Sequence, residues 1–360
     1  MRAIASTRRT IVSTLIATAA AATFALANSS LAAEIRVLNW QGYGTDEAWS
    51  LEQFEEATGI EVVHEYFNSE QEMLTKLRTN PGAFDVVLIN SAFTRQAAEE
   101  GLIQAIDTSS MKNVADLAPG LGDNANLVFD GEAYGVAWVW GLTSFAVDTS
   151  AFDELPDTIE ALWSPDNAGR VGWRDDAVEA AMLAAIATGQ DINMPEDLEA
   201  IRERLRALKS QIRTFWSSEN EWNQAVAAKE FDLATYWSGS ASRSKTNYGL
   251  PVEFIIPKEG AIGWLDGLSI AADSENIDEA KQFIDWMIDP DFYIPWDTNV
   301  GAPASANAEA NAGLPDDAFN RTVMGDSEKL ANVQVMGPMA EELREQLLEI
   351  WQETKTYFQE

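Results

Sequence analysis

Carboxylates and tryptophans at particular spacings are the chemically expressive residues of this sequence. The run Arg174-Asp175-Asp176-Ala177-Val178-Glu179 places Asp176 and Glu179 about one helical turn apart, on the same face of any helix that starts there. An N-cap followed by a first-turn acid has the same spacing, so the pair reads equally as a helix start or as a cation-binding pair. Asp266 stands among apolar neighbours in Trp264-Leu265-Asp266, where a buried carboxylate needs a partner. Trp40, Trp138, Trp140, Trp237 and Trp264 all fall where strands run out or cross over, and Tyr43 sits in a glycine-flanked turn. A tryptophan face is a flat apolar wall, and its quadrupole attracts an ammonium group. Any single tryptophan is more often core than wall, but the group at strand ends points to a pocket. Aromatic walls with two or three carboxylates suit a flexible dication, the walls covering methylenes and the acids pairing with its ends. The same inventory could stack a sugar. It could also be a glycosidase pair, which needs carboxylates roughly 5–9.5 Å apart, a distance no sequence measures.

Most other chemistry is excluded by composition. The chain has no cysteine, which removes thiol catalysis, Cys-ligated metals and disulfides. Its one histidine, His64, lies in the strand-like run 60–66, so a structural or surface role is expected rather than a catalytic triad or metal site. No GxxxxGK[ST] run is present, and Gly120-Leu121-Gly122 follows no strand. No metal, cofactor or catalytic residue is expected.

Elements that would position these residues alternate along the chain. Strands are expected at 35–40, 60–66, 84–89, 170–173, 212–215, 231–237, 252–256 and 268–272. Helices are expected at 46–58, 69–78, 176–188, 196–209, 219–229, 276–288 and 339–358. Ser69 to Glu72 resembles a capping box, and Leu343, Leu347, Ile350 and Tyr357 read as the apolar face of the last helix. The β-rich run 135–148 suits a crossover between two lobes. The fold class is therefore α/β with mostly parallel sheets, and ligands in such sheets bind beyond the carboxyl ends of strands.

Fifty-eight acidic residues against twenty-four basic ones give a net charge of −34. That balance argues against nucleic acid or anionic membranes as partners. An acidic surface serves equally to draw in cations and to stay soluble in a saline habitat. Residues 1–32 read as a secretory signal peptide: Arg2, Arg8 and Arg9 precede the apolar run 11–27, and Ser30-Leu31-Ala32 suits cleavage before Ala33. Removing it takes the charge to −37 and leaves about 328 residues, enough for two lobes and with no lipid-bearing cysteine. An ordinary secretory route fits better than a twin-arginine one.

A series of collinear motifs carries a resemblance. They are Asn39-Trp40-x-Gly42-Tyr43, Phe54-Glu55-x-x-Thr58-Gly59-Ile60, Phe84-Asp85-Val86-Val87, Trp140-Gly141, Asp175-Asp176-Ala177-x-Glu179, Trp237-Ser238-Gly239, Pro257-Lys258-Glu259-Gly260 and Trp264-x-Asp266. In these the chain resembles bacterial spermidine/putrescine-binding proteins, periplasmic receptors of ABC importers within extracellular solute-binding family 1. The resemblance implies a two-lobed periplasmic-binding-protein fold of type II, with lobe one at 33–142 plus 266–311 and lobe two at 143–265 plus 312–360. It implies a monomer that binds a small organic cation and hands it to an inner-membrane permease. By matching positions, Trp40, Tyr43, Trp237 and Trp264 would be aromatic walls, Asn90 would line the site, and Asp176, Glu179 and Asp266 would hold ammonium groups. Three departures bear on the ligand. Ala92 and Ala302 stand where relatives can carry a tyrosine, and Arg174 lies beside the acids, where it would compete with a cation or pair with a ligand carboxylate. An opine-like or amino-acid-derived ligand therefore stays open.

Overall fold

The computed structural model describes residues 33–359 apart from Ser327; the leader read from residues 1–32 lies outside them. The first strand, Ala33–Asn39, runs parallel to Ile60–Tyr66 along its full length and to Val86–Asn90 on its other side. Helices Ala48–Thr58 and Glu70–Thr79 supply the crossovers that parallel strands require. Gly59 ends the first helix in the left-handed conformation, its N–H bonding to the Glu55 carbonyl. Ser69 caps the second helix by accepting from the Glu72 amide at 3.1 Å. Glu72 reaches back one residue beyond the cap, accepting from the Asn68 amide at 2.9 Å.

Strands lie in the order Ile60–Tyr66, Ala33–Asn39, Val86–Asn90, Ile262–Ala271, Val136–Asp148, Leu233–Trp237, Val171–Arg174, Ile212–Trp216. Each flank is parallel, while the two long central strands, Val136–Asp148 and Ile262–Ala271, pair antiparallel with each other and with their inner neighbours. The sheet is thus mixed, with an antiparallel seam between two parallel α/β halves.

Apolar side chains divide between two main bodies on either side of that seam. One draws on Ile35 to Val139 together with Leu268 to Leu314. The other draws on Phe145 to Ile262 with Leu347, Ile350 and Trp351 of the last helix. In the latter, helix Ala177–Ala187 is buried at every position from Ala180 to Ile186, because Leu198–Arg206 and Glu341–Gln359 pack over it.

Three expectations need correction. The return strand begins at Ile262 rather than 268, so Trp264 and Asp266 lie within it, and the register shifts between Asp266 and Gly267. Tyr357 does not face the core: it is exposed beneath Lys209, whose ammonium lies 4.2 Å from its ring, and Trp351 fills the apolar face instead. Val86–Asn90 feeds directly into a helix, Ser91–Glu99, whose N-cap is Asn90.

Candidate functional site

At the carboxyl ends of the first parallel strands, the chain turns sharply. Asn39 is fully buried, and its amide donates to the Tyr43 carbonyl at 3.1 Å and to Thr45 Oγ1 at 2.7 Å. Gly42 and Gly44 both adopt left-handed angles, φ 72° and 81°, which a side chain would resist. This clamp directs the Tyr43 hydroxyl to Asp266 Oδ2 at 2.9 Å. Asn90, opposite Asp266 in the sheet, donates its side-chain amide to Oδ1 at 2.9 Å. Asp266 is 7% exposed and takes part in no ion pair among the described residues. Burial pushes its carboxyl up to about 6, with the two donated hydrogen bonds opposing. Burial likewise raises the Tyr43 hydroxyl well above its ordinary value, helped by the neighbouring carboxylate. Trp40 is half-buried, edge-on to Phe67 with centroids 4.5 Å apart.

A second cluster forms where the other parallel strands run out. Arg174 ends Val171–Arg174, Trp216 ends Ile212–Trp216 and Trp237 ends Leu233–Trp237. Asp176 caps the following helix, one oxygen accepting from the Val178 and Glu179 amides at 3.0 and 2.9 Å. Its other oxygen stands 3.8 Å from Arg174. Glu179 Oε1 pairs with Arg174 at 2.5 Å and accepts from Trp237 Nε1 at 3.3 Å, while Oε2 is buried without a partner. Burial raises the Glu179 carboxyl, and Arg174 opposes that shift. The Arg174 guanidinium also lies over the Trp237 ring, 4.6 Å from its centroid. Asp176 and Glu179 are therefore both helix start and acidic pair, already shared with an arginine.

Trp264 stands on the central seam two residues from Asp266, hence on the same face, and is half-buried. Its ring covers Gly141 on the crossover strand: a Cβ there would lie 2.3 Å from Trp264 Cζ2. Trp138 is a core residue, 1% exposed, stacked on Trp296 with centroids 5.4 Å apart and donating to the Met287 carbonyl at 3.0 Å. Trp140 is half-buried and donates to the Ser305 carbonyl at 3.2 Å. Ala92 and Ala302 are both buried.

Two residues that the sequence did not single out belong here. Glu70, the first residue of its helix, has burial and Asp266 pushing its carboxyl up to about 8. Arg243 forks onto Glu219 at 2.6 and 3.1 Å and donates to the Gly301 carbonyl at 3.0 Å. Among the described residues no group of His, Asp and Glu is arranged to hold a metal, and no helix is long and apolar enough to cross a membrane. Cavities of about 480 and 400 Å³ lie elsewhere, beside Arg206 and Tyr357 and beside Asn247 and Phe319. Convergent polar groups, rather than cavity volume, mark the Asp266 and Glu179 clusters as the candidate site.

Comparison with known proteins agrees with this architecture. The spermidine/putrescine-binding periplasmic protein of Escherichia coli K12 is 32% identical over 287 residues, covering 78% of this chain and 81% of that protein. The putrescine-binding periplasmic protein PotF of the same organism is 25% identical, covering 90% and 94%. Among solved structures, a spermidine/putrescine ABC transporter substrate-binding protein from Streptococcus pneumoniae superposes with a TM-score of 0.81 at 21% identity, covering 91% of this chain and 99% of that one. The fold is the two-lobed one of periplasmic binding proteins. Residues 49–322 match the family model described as bacterial extracellular solute-binding protein, and the chain belongs to that family.

Proposed function

We propose that this protein is the periplasmic substrate-binding component of an ABC importer, capturing a polyamine-like cation such as putrescine or spermidine without catalysis. Asp266 carries the reading: a nearly buried carboxylate, held by two neutral donors and paired with no cation among the described residues. Such a charge is costly unless a ligand supplies its partner. Trp40, Tyr43, Trp237 and Trp264 would cover the methylenes, with Asn90 orienting Asp266, and Asp176 and Glu179 would meet the second nitrogen. We assign lobe one to 33–142 plus 266–311 and lobe two to 143–265 plus 312–360, with the long central strands as hinge; the two apolar bodies support this division except at Leu314, which packs with the first. Residues 1–32 would be the export signal, and the ligand would pass from the monomer to an inner-membrane permease.

Arg174 favours a second reading, a zwitterionic ligand. Its guanidinium already pairs with Glu179, so a ligand carboxylate could replace that partner. Thermal melting with putrescine, spermidine, an ω-amino acid and a neutral sugar separates the readings. A rise in Tm with the diamine and none with the sugar is expected. A rise with the amino acid alone transfers the site to zwitterions, and a rise with the sugar alone removes the cation claim.

A further inference from the structure

The second cluster holds a cation of its own. Arg174 closes strand Val171–Arg174, its backbone paired with Trp216 in the sheet and its N–H donating to Thr235 Oγ1 at 2.8 Å. From that fixed base the guanidinium reaches Glu179 Oε1 at 2.5 Å, stands 3.8 Å from Asp176 and lies 4.6 Å from the Trp237 ring centroid. A ligand ammonium would be drawn to the same three partners, two carboxylates and an aromatic face. The Arg174 and Glu179 side chains are 26% and 14% exposed, so water and salt screen the pair only weakly. Two acids thus share one built-in positive charge, and the cluster carries one net negative charge instead of two. It is also short of a donor: Glu179 Oε2 is buried without a partner, while Asp176 commits one oxygen to its helix cap. Asp266, in the first cluster, is paired with no cation among the described residues. We propose that Arg174 is a specificity-determining residue: it stands permanently in the place of one ligand nitrogen, so the site takes an amine with two positive charges in preference to one with three.

This deepens the polyamine reading above and rests on it. One ligand nitrogen meets Asp266, and the other meets the charge that Arg174 leaves uncompensated on Asp176 and Glu179. A third nitrogen finds no unpaired acid among these three and is repelled by the guanidinium. Titration calorimetry of putrescine and spermidine, at one pH and ionic strength, compares wild type with Arg174→Gln and Arg174→Lys. Wild type should bind putrescine at least as tightly as spermidine. In R174Q the affinity ratio should shift towards spermidine by about tenfold or more, because a triamine gains more than a diamine from the lost repulsion. R174K keeps the charge and should hold the ratio within about threefold of wild type. A wild type that prefers spermidine overturns the proposal, whether or not either variant folds. So does an R174Q protein that gains equally for both amines, since the ligand would then be displacing the guanidinium. A shift in R174K as large as that in R174Q overturns it as well, because shape rather than charge would then set the choice. If wild type binds neither amine, the polyamine reading falls first and the role of Arg174 with it.

Discussion

Asp266 concentrates the electrostatics of the site. Asp266→Asn keeps the shape and one acceptor but removes the charge, so amine binding should weaken by about 2–5 kcal/mol while the fold survives. Calorimetric affinity within error of wild type would remove Asp266 from ligand contact. The pH dependence has a definite sign. Asp266 and Glu70 hold protons in the folded protein up to about 6 and about 8, well above their unfolded values. Their contribution to stability is therefore full below their unfolded values and is lost as pH rises through 6 and then 8. Burial lowers the His64 imidazole, which works in the opposite direction below its ordinary value, so the interval above pH 7 is free of His64. Empty protein should melt lower at pH 8.5 than at pH 7. An upward slope in the empty protein contradicts the raised carboxyl of Glu70.

At the level of elements, the wall depends on what the strands leave out. Gly141 has no side chain because the Trp264 ring occupies its place, 2.3 Å from where a Cβ would stand. Gly141→Ala should cost about 1–3 kcal/mol through overpacking and should also weaken ligand binding by displacing that ring. In a Trp264→Leu background the same change should cost much less, and melting of the four proteins measures the coupling. Equal costs in both backgrounds would mean that the strand, not the tryptophan, is strained. This pair also marks how far the sequence could be read. Trp40 and Trp237 were legible because each closes an apolar run, Trp40 before a turn and Trp237 before a helix, and Asp266 because it interrupts one. The start of the return strand was not, because Gly263 and Gly267 break the apolar alternation and glycine reads as punctuation. Glu70 was hidden by a sufficient local explanation, the helix start at Ser69, since its raised carboxyl comes from burial and from Asp266, far away in sequence. Arg243 was hidden behind Ser238-Gly239-Ser240-Ala241-Ser242, a polar helix start that reads as solvent-exposed.

Across the whole molecule, the two apolar bodies are joined by the central strands and by a polar bridge at the helix that follows Trp237. Arg243 lies on helix Ser238–Thr246, whose Ala241 packs in the second half, and its guanidinium donates to Gly301, beside Ala302 of the first. Asn247 adds a bond to the Val300 carbonyl at 2.8 Å. Gly301 takes φ 90°, and a Cβ there would lie 2.5 Å from Arg243 Cγ, so the arginine stem lies directly on the loop. A lysine at 243 could not fork onto Glu219 and reach Gly301 together, since it has one nitrogen where arginine presents a planar set of donors. Arg243→Lys should therefore open the empty protein while keeping a positive charge near Tyr43. Small-angle scattering should give a larger radius of gyration for the empty variant than for empty wild type, and the two should converge once amine is bound. Affinity should fall in proportion to the closed population lost. An empty variant with the wild-type radius would show that the central strands alone hold the halves together.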